Sequence, residues 1–388
     1  MTNKKAGKDY WFTIEPYVYV GLTNQCVLLY NTLDGETIES DQVEVIELLK
    51  ETLQKENYGV VLLTEKRYHN KNINTFIREL RKKYMGDIID ISLSNGRPVQ
   101  LLPFFNFTIP NKFEIYKKHN FYSYENALKN IFEINIHVNN ETEVTKLIHF
   151  LQSVPDKLTF NIIGNINKVV DNGKLLSFFN HYTTVKNIVC TYIDILSLES
   201  VFNKDFAYSI LVKFPVDLDK WDKLQRIIHA KRLQHIYIFE VLSEDDCQQA
   251  EQLIEMFRIK KYQIHPVYNG DNIDFFKNNV FINKEDILSA HISIKDIFAN
   301  QAVNLYDFGK FNIMPNGDVY ANVNHPSLGN IDTHSIQEIV KKEVDEGKSW
   351  FRIRTQVPCT DCVYQWLCPP PSDYEIVIGC PNLCHVKN

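Results

Sequence analysis

Between residues 133 and 268 six short apolar segments recur, each separated from the next by enough chain for a helix: EINIHV (133–138), LTFNIIG (158–164), NIVCTYI (187–193), YSILVKF (208–214), HIYIFEV (235–241) and YQIHPVY (262–268). The stretches between them carry apolar residues at i, i+3, i+4 and i+7, as in Val144, Leu147, Ile148 and Leu151 or Ala250, Leu253, Ile254 and Phe257. The second of these helices opens on Ser243 and Asp246 in capping-box spacing. Strands joined by helical crossovers return parallel to one another, and a parallel sheet is covered on both faces. The expectation is an α/β fold, with a partial (β/α)6 barrel over residues 88–300 and an open doubly wound sheet as the alternative.

The flanks read differently. In residues 1–87 the segments QCVLLYNT and ETIES flank Asp34-Gly35, a type I' hairpin signal. A helix with Val45, Leu48, Leu49 and Leu53 on one side follows, then GVVLLT, then a helix bearing Ile73, Phe76, Ile77, Leu80 and Tyr84. These predict a small α+β unit. Residues 88–125, with Pro98, Pro103 and Pro110, read as an irregular connection. In 301–388, KFNIMPNGDVYANV is two strands about a turn, and THSIQEIVKKEV is a short helix with Ile336, Ile339 and Val340 on its apolar face.

Lys and Arg number 42 against 48 Asp and Glu, a formal net charge of −6, so no chain-wide basic field invites nucleic acid. There is no 18-residue apolar stretch and no signal-peptide pattern at the N-terminus, which makes a cytoplasmic protein without a membrane span the expectation. Five of the eight cysteines fall in the last 30 residues: Cys359, Cys362 and Cys368 as C-x2-C-x5-C, then Cys380 and Cys384. In a reducing compartment such clustering points to metal rather than disulfides. Thiolates two residues apart, completed by Cys368 and one late cysteine, suit either Zn2+ or an iron-sulfur cluster. Cys368-Pro369 and Cys380-Pro381 lean toward a cluster, and His385 offers a Cys3His variant. Cys26, Cys190 and Cys247 stand singly and read as small buried hydrophobes.

The succession of PNGDVY, LGNI (Leu328–Ile331), a short helix, Trp350–Arg352 and C-x2-C-x5-C resembles the SPASM domain that follows the barrel of peptide-modifying radical SAM enzymes. The preceding β/α repeats are similar to that barrel, so the resemblance spans roughly residues 130–388. It implies one auxiliary 4Fe-4S cluster on Cys359, Cys362, Cys368 and Cys384, with Cys380 as the alternative fourth ligand. It also implies that a second, proximal cluster has been lost, because Asn322 and Ser372 stand where its cysteines are expected. The C-x3-C-x2-C that holds the radical SAM cluster is absent. Its nearest imitation, LTNQCVLLYNTL, has Cys26 but Tyr30 and Leu33 at the other two places. In SLSNGRPV (92–99), Arg97 stands where an acceptor for the SAM amino group belongs, and Arg accepts no hydrogen bond.

The closest resemblance is therefore to pseudo-radical SAM proteins, which accompany true radical SAM maturases in ribosomal-peptide modification, notably the Bacteroidales type with Gly-Gly leaders. It implies a SAM-independent accessory protein that binds the maturase, its precursor peptide or both and has no radical SAM activity of its own. Two alternatives stand beside it. One is a zinc-stapled scaffold; the other is an enzyme using the carboxyl ends of the barrel strands, which offer His137, Lys213, Glu240 and His265, with Glu240 and His265 as an acid/base pair. No phosphate-binding, dinucleotide or serine-hydrolase motif is present. The hairpin and helix of residues 18–55 could take a peptide as an added strand, at the end of the chain opposite the cysteines.

Overall fold

The structure, a computed structural model, describes residues 8–100, 106, 128–182, 184–198, 204–346 and 348–386. Most of the connection expected at 88–125 lies outside the described residues.

The N-terminal unit contains β1 (Tyr10–Ile14), β2 (Val18–Leu22), β3 (Val27–Asn31), β4 (Thr37–Ser40), α1 (Val43–Thr52), β5 (Val60–Leu63), α2 (Glu65–Tyr68), α3 (Lys71–Lys82) and β6 (Gly86–Asp90). Its strands form two antiparallel sheets, β5-β1-β6 and β2-β3-β4. They close on a core that includes Phe12, Leu29, Leu48 and Phe76. The predicted helix faces are buried, except that Leu53 caps α1 half-buried and Tyr84 lies beyond α3, exposed and at φ 54°. The hairpin forms, but not through a type I' turn: the Asn31 N–H bonds the Glu36 carbonyl (2.9 Å), so four residues make the loop and Gly35 (φ 79°) takes the left-handed position without Asp34. The unit also holds the chain past residue 90. Arg97 donates to the carbonyls of Glu56 (3.1 Å), Val60 (2.6 Å) and Asn57, and Gln100 donates to that of Ile14 (2.7 Å).

All six predicted parallel strands form: β7 (Glu133–Val138), β8 (Thr159–Gly164), β9 (Lys186–Thr191), β10 (Ala207–Lys213), β11 (His235–Val241) and β12 (Tyr262–Pro266). Helices α4 (Val144–Leu151), α5 (Asn172–Asn180), α6 (Tyr192–Ser197), α7 (Leu218–Lys231) and α8 (Glu244–Phe257) follow the first five. Past β12 come α9 (Ile273–Asn279), α10 (Lys284–Ser289), α11 (Ile294–Ala302), β13 (Lys310–Ile313), β14 (Asp318–Tyr320), β15 (Gly329–Asn330), α12 (Ile336–Glu346) and α13 (Asp373–Ile378). The nine-stranded sheet runs β12-β11-β10-β9-β8-β7-β13-β14-β15, parallel from β12 to β13. Each of β8 to β12 adds on the same side of its predecessor. A doubly wound sheet would reverse direction at some point in that series, and it does not. β13 pairs with β7, so the chain leading to the cysteines begins inside the main sheet.

Burial on both faces is not what the strands show. One face carries Ile134, Ile136, Phe160, Ile162, Ile188, Ile210 and Phe239, all buried in the main core. The other carries a ladder of amides: Asn135 donates to Asn312 (3.2 Å), Asn161 to Asn135 (2.8 Å), and Asn187 to Asn161 (3.3 Å) and Ser209 (2.9 Å). A neutral amide offers both a donor and an acceptor, so the amide nitrogen of each asparagine meets the oxygen of the next across strands in register, and the run ends on Asn187, whose Oδ1 is buried without a partner among the described residues.

Helix α12 buries Ile336, Ile339 and Val340 as expected, and Glu343 with them. Oε1 of Glu343 accepts the N–H groups of Ser349 (2.9 Å) and Trp350 (2.7 Å), fixing the turn that drops Trp350 into the core. Burial, aided by the charges of Asp307 and Glu346, pushes this carboxyl from 4.5 up to about 7, against the pull of its two backbone bonds. The folded state therefore keeps a proton that the unfolded chain has already released, so this group's contribution to stability falls as pH rises from 4.5 to about 7. Glu343→Gln keeps the accepting oxygen and is expected to flatten the decline of the urea midpoint across that window. A midpoint profile identical to the wild type would show that Glu343 does not set it.

Candidate metal centre

Cys359 opens a single 3-10 turn, Cys359–Asp361, and its carbonyl accepts the Cys362 N–H (3.1 Å). The five residues between Cys362 and Cys368 form a loop whose far end is pinned by α11: buried Asn300 donates to the carbonyls of Trp366 (3.0 Å) and Cys368 (3.1 Å). Asn304, fully buried, does the same for Arg352 (3.0 Å) and Pro371 (2.8 Å). Cys384 is fixed by a parallel bridge to Ile282, whose N–H bonds the Leu383 carbonyl (3.0 Å) and whose carbonyl accepts from His385 (2.9 Å).

These segments bring the four predicted thiols into one neighbourhood. Burial pushes the Cys368 thiol up to about 12, Arg354 pulls it down, and Cys362, Cys384 and Cys359 push it further up. His385 is turned away, with Nε2 on the Lys277 carbonyl (2.8 Å) and its ring against Phe281. The Cys384 sulfur accepts from the Val386 N–H (3.2 Å) and that of Cys359 from Arg354 (3.8 Å). All eight cysteines are free thiols. Among the described residues no three His, Cys, Asp or Glu side chains are close enough to chelate one ion, so the four sulfurs share a neighbourhood without forming a chelate. As a donor set they are all sulfur and partly served by N–H donors, which suits Zn2+ or an iron-sulfur cluster and not Mg2+ or Ca2+.

The N-terminal unit is not remote from this centre. Tyr19, Leu28 and Tyr30 of β2 and β3 form one apolar cluster with Val363, Tyr364, Leu367 and Cys368, with Cys26 and Cys362 packed against it. Tyr364 donates to Glu39 (2.8 Å), which also pairs with Lys284 (2.7 Å). The imitation cysteine Cys26 thus belongs to the antiparallel β2-β3 turn beside the tail, not to a loop of the parallel sheet. Tyr30 is buried next to it and Leu33 is exposed on the hairpin. Opposite ends of the chain in sequence, the N-terminal unit and the cysteine-bearing tail meet in space.

At the positions expected for a proximal cluster the structure has an ionic network. Buried Asn322 donates to Asp307 (3.0 Å) and Asp373, Arg352 pairs with Asp307 (3.3 Å) and Asp373 (3.4 Å), and Arg352 also donates to the Ser372 carbonyl (3.0 Å). Burial, then the Asp373 charge, pushes Asp307 up to about 6 despite Arg352.

The residues at the strand ends divide. Lys213, Glu240 and His265 are register neighbours on β10, β11 and β12, on the same face as the amide ladder, with Lys213 and Glu240 3.4 Å apart. The ring of Tyr374, from the cysteine-bearing tail, lies beside His265. His137 is on β7, three strands from Lys213, where burial lowers its pKa. Residue-by-residue reading missed Arg354, Asn300, Glu39 and the amide ladder. Only the ladder left a signal, the dipeptide Asn-Ile repeated at 135, 161, 187 and 312.

No protein-family model and no curated protein matches the chain. Solved structures similar to it include histidine-tagged anSMEcpe with bound AdoMet, at TM-score 0.40 and 12% identity over 61% of this chain and 84% of that one. Native anSMEcpe with bound AdoMet and Kp18Cys peptide is similar at TM-score 0.40 and 12% identity over 61% of this chain and 88% of that one. At these scores the likeness leaves family and chemistry unassigned.

Proposed function

We propose that the chain is a SAM-independent accessory protein of a peptide-modifying radical SAM maturase of the Gly-Gly Bacteroidales type. It would bind the enzyme, the precursor peptide or both, and carry one 4Fe-4S cluster on Cys359, Cys362, Cys368 and Cys384. The supporting observation is that Cys362, Cys384 and Cys359 all act electrostatically on the buried Cys368 thiol, on a chain that has no C-x3-C-x2-C. The run of parallel strands in consecutive order suits a partial barrel that has kept its frame and lost its SAM cluster. A cluster on these sulfurs would order the tail and add one-electron capacity.

The test is co-expression with a peptide-modifying radical SAM enzyme and its precursor. A copurifying complex or faster modification is expected, and the accessory reading fails if neither is seen. The protein alone is expected to release no 5'-deoxyadenosine from SAM. A second reading, chemistry at the strand ends, draws on the adjacency of Lys213, Glu240 and His265. Loss of modification in Glu240→Gln with the complex intact would favour it. A zinc-stapled scaffold is the third, favoured by one zinc and no sulfide per chain.

A further inference from the structure

Among the described residues, Arg354 is the one cation buried within the cysteine-bearing segments of the tail: its side chain is 7% exposed, and so is almost wholly removed from water. Every hydrogen bond its side chain donates falls on a piece of chain that carries or leads to a thiol. Nη1 donates to Sγ of Cys359 (3.8 Å). Nε and Nη2 donate to the carbonyls of Pro369 (2.6 Å) and Pro370 (3.5 Å), the two residues after Cys368. Nη1 also pairs with Glu375 (3.0 Å), itself 5% exposed, on α13, the helix that precedes Cys384. Glu375 spends its other oxygen on the Ser372 N–H (2.6 Å), closing the capping box of that helix. A planar guanidinium serves such a set of acceptors in a way that an ammonium cannot, because its donors are fixed in a fork.

We infer that Arg354 is a positioning residue of the thiolate centre, orienting three of its four sulfur-bearing segments and offsetting thiolate charge, while Glu375 moderates that positive charge. This rests on the reading of the four cysteines as ligands. Thiolates around Zn2+ or a 4Fe-4S cluster carry excess negative charge, and in a site shielded from water an adjacent cation favours holding the metal and, for a cluster, favours its reduced form. Removing the arginine and removing its counter-ion should therefore act in opposite directions. A residue that merely packs the tail would make both changes harmful.

The experiment uses the full chain, purified and reconstituted anaerobically with iron and sulfide or with zinc, as wild type, Arg354→Met, Arg354→Lys and Glu375→Gln. Glutamine keeps an oxygen for the Ser372 N–H while removing the charge. Metal release to excess EDTA and, for the iron form, the midpoint potential are measured. Arg354→Met is expected to release metal about 10- to 100-fold faster and to lower the potential, with Arg354→Lys between it and the wild type. Glu375→Gln is expected to release metal no faster than the wild type and to raise the potential. If Arg354→Met does not fold, Arg354→Lys and Glu375→Gln carry the comparison of sign. Wild-type rates in Arg354→Met, or in Arg354→Lys where only that variant folds, would overturn the role of Arg354 with the centre intact. Shifts of the same sign in the arginine and glutamate variants would do the same. Wild-type protein that takes up no metal removes the centre itself, and this inference with it.

Discussion

Cys362→Ala is expected to strip the protein of essentially all bound metal. Wild-type chain prepared without oxygen should carry about four iron and four sulfide, and the variant should lose both together with the visible absorption. A cluster with three thiolates can persist where an open iron is protected. This loop offers little such protection, because Cys362 is only partly buried and lies where the tail rests against β2 and β3. The cost should reach beyond the metal, since binding energy at a structural thiolate site is folding energy, roughly 10 kcal/mol or more in small zinc domains. Loss of cooperative melting in the tail should therefore accompany loss of iron. Cys380→Ala and Cys26→Ala are the controls and should keep wild-type content, because the proposed ligand set is complete without Cys380 and Cys26 belongs to the β2-β3 turn. A metal-replete Cys362→Ala, or a metal-free Cys380→Ala, would sink the assignment of ligands.

The parallel sheet was legible because its signal is local. Each of β7 to β12 announces itself by a short apolar run followed by helical periodicity, and the boundaries moved by no more than two residues. Which face of those strands would be covered was misread, since runs such as EINIHV look apolar throughout when asparagine is counted as an interruption rather than as a repeated position. Aligning the strands on their Asn-Ile pairs would have exposed it: Asn312, Asn135, Asn161 and Asn187 share one register, and Ile313, Ile136, Ile162 and Ile188 share the next. The candidate thiols stood out for a similar reason, being close in sequence. Cys384 over Cys380 was a choice that spacing left open, and the structure ties Cys384 to Ile282 by a parallel bridge.

What could not be read is everything that depends on contacts between distant parts of the chain. The Tyr364–Glu39 hydrogen bond joins residues 325 positions apart, and neither residue is unusual in its local setting. Arg354 is one basic residue among 42, and only the fold shows that it is buried. The network of Asn322, Asp307, Arg352 and Asp373 is a partial exception. Asn322 was marked because the resemblance expects a cysteine there, but the charges that surround it come from elements no local pattern connects.

Gly21→Val is expected to uncouple the N-terminal unit from the tail. Gly21 lies in β2, paired to Leu28, and a Cβ there would sit 2.1 Å from the carbonyl oxygen of Val363 and 3.0 Å from its carbonyl carbon. Its backbone is not in the left-handed region, so glycine is required by close approach rather than by conformation. The obstacle is backbone and cannot swing aside, so the loop between Cys362 and Cys368 must move off the sheet. Both large cores should survive, because Val363 belongs to neither and only Val20 and Leu22 of the core around Phe12 and Leu48 flank Gly21. Overpacking of this kind costs about 1–3 kcal/mol, enough to shift the docking equilibrium by about fivefold or more. Metal content after anaerobic purification should fall several-fold, and limited proteolysis should release the N-terminal unit faster. Gly173→Ala, where an added Cβ meets nothing within 4 Å, should leave both unchanged. Deleting the whole N-terminal unit should then depress metal content as well as peptide capture, because it bares the apolar side chains of Val363, Tyr364 and Leu367. If Gly21→Val keeps its metal and its resistance to protease, the two ends of the chain touch without depending on each other, and the deletion would again separate peptide binding from metal binding.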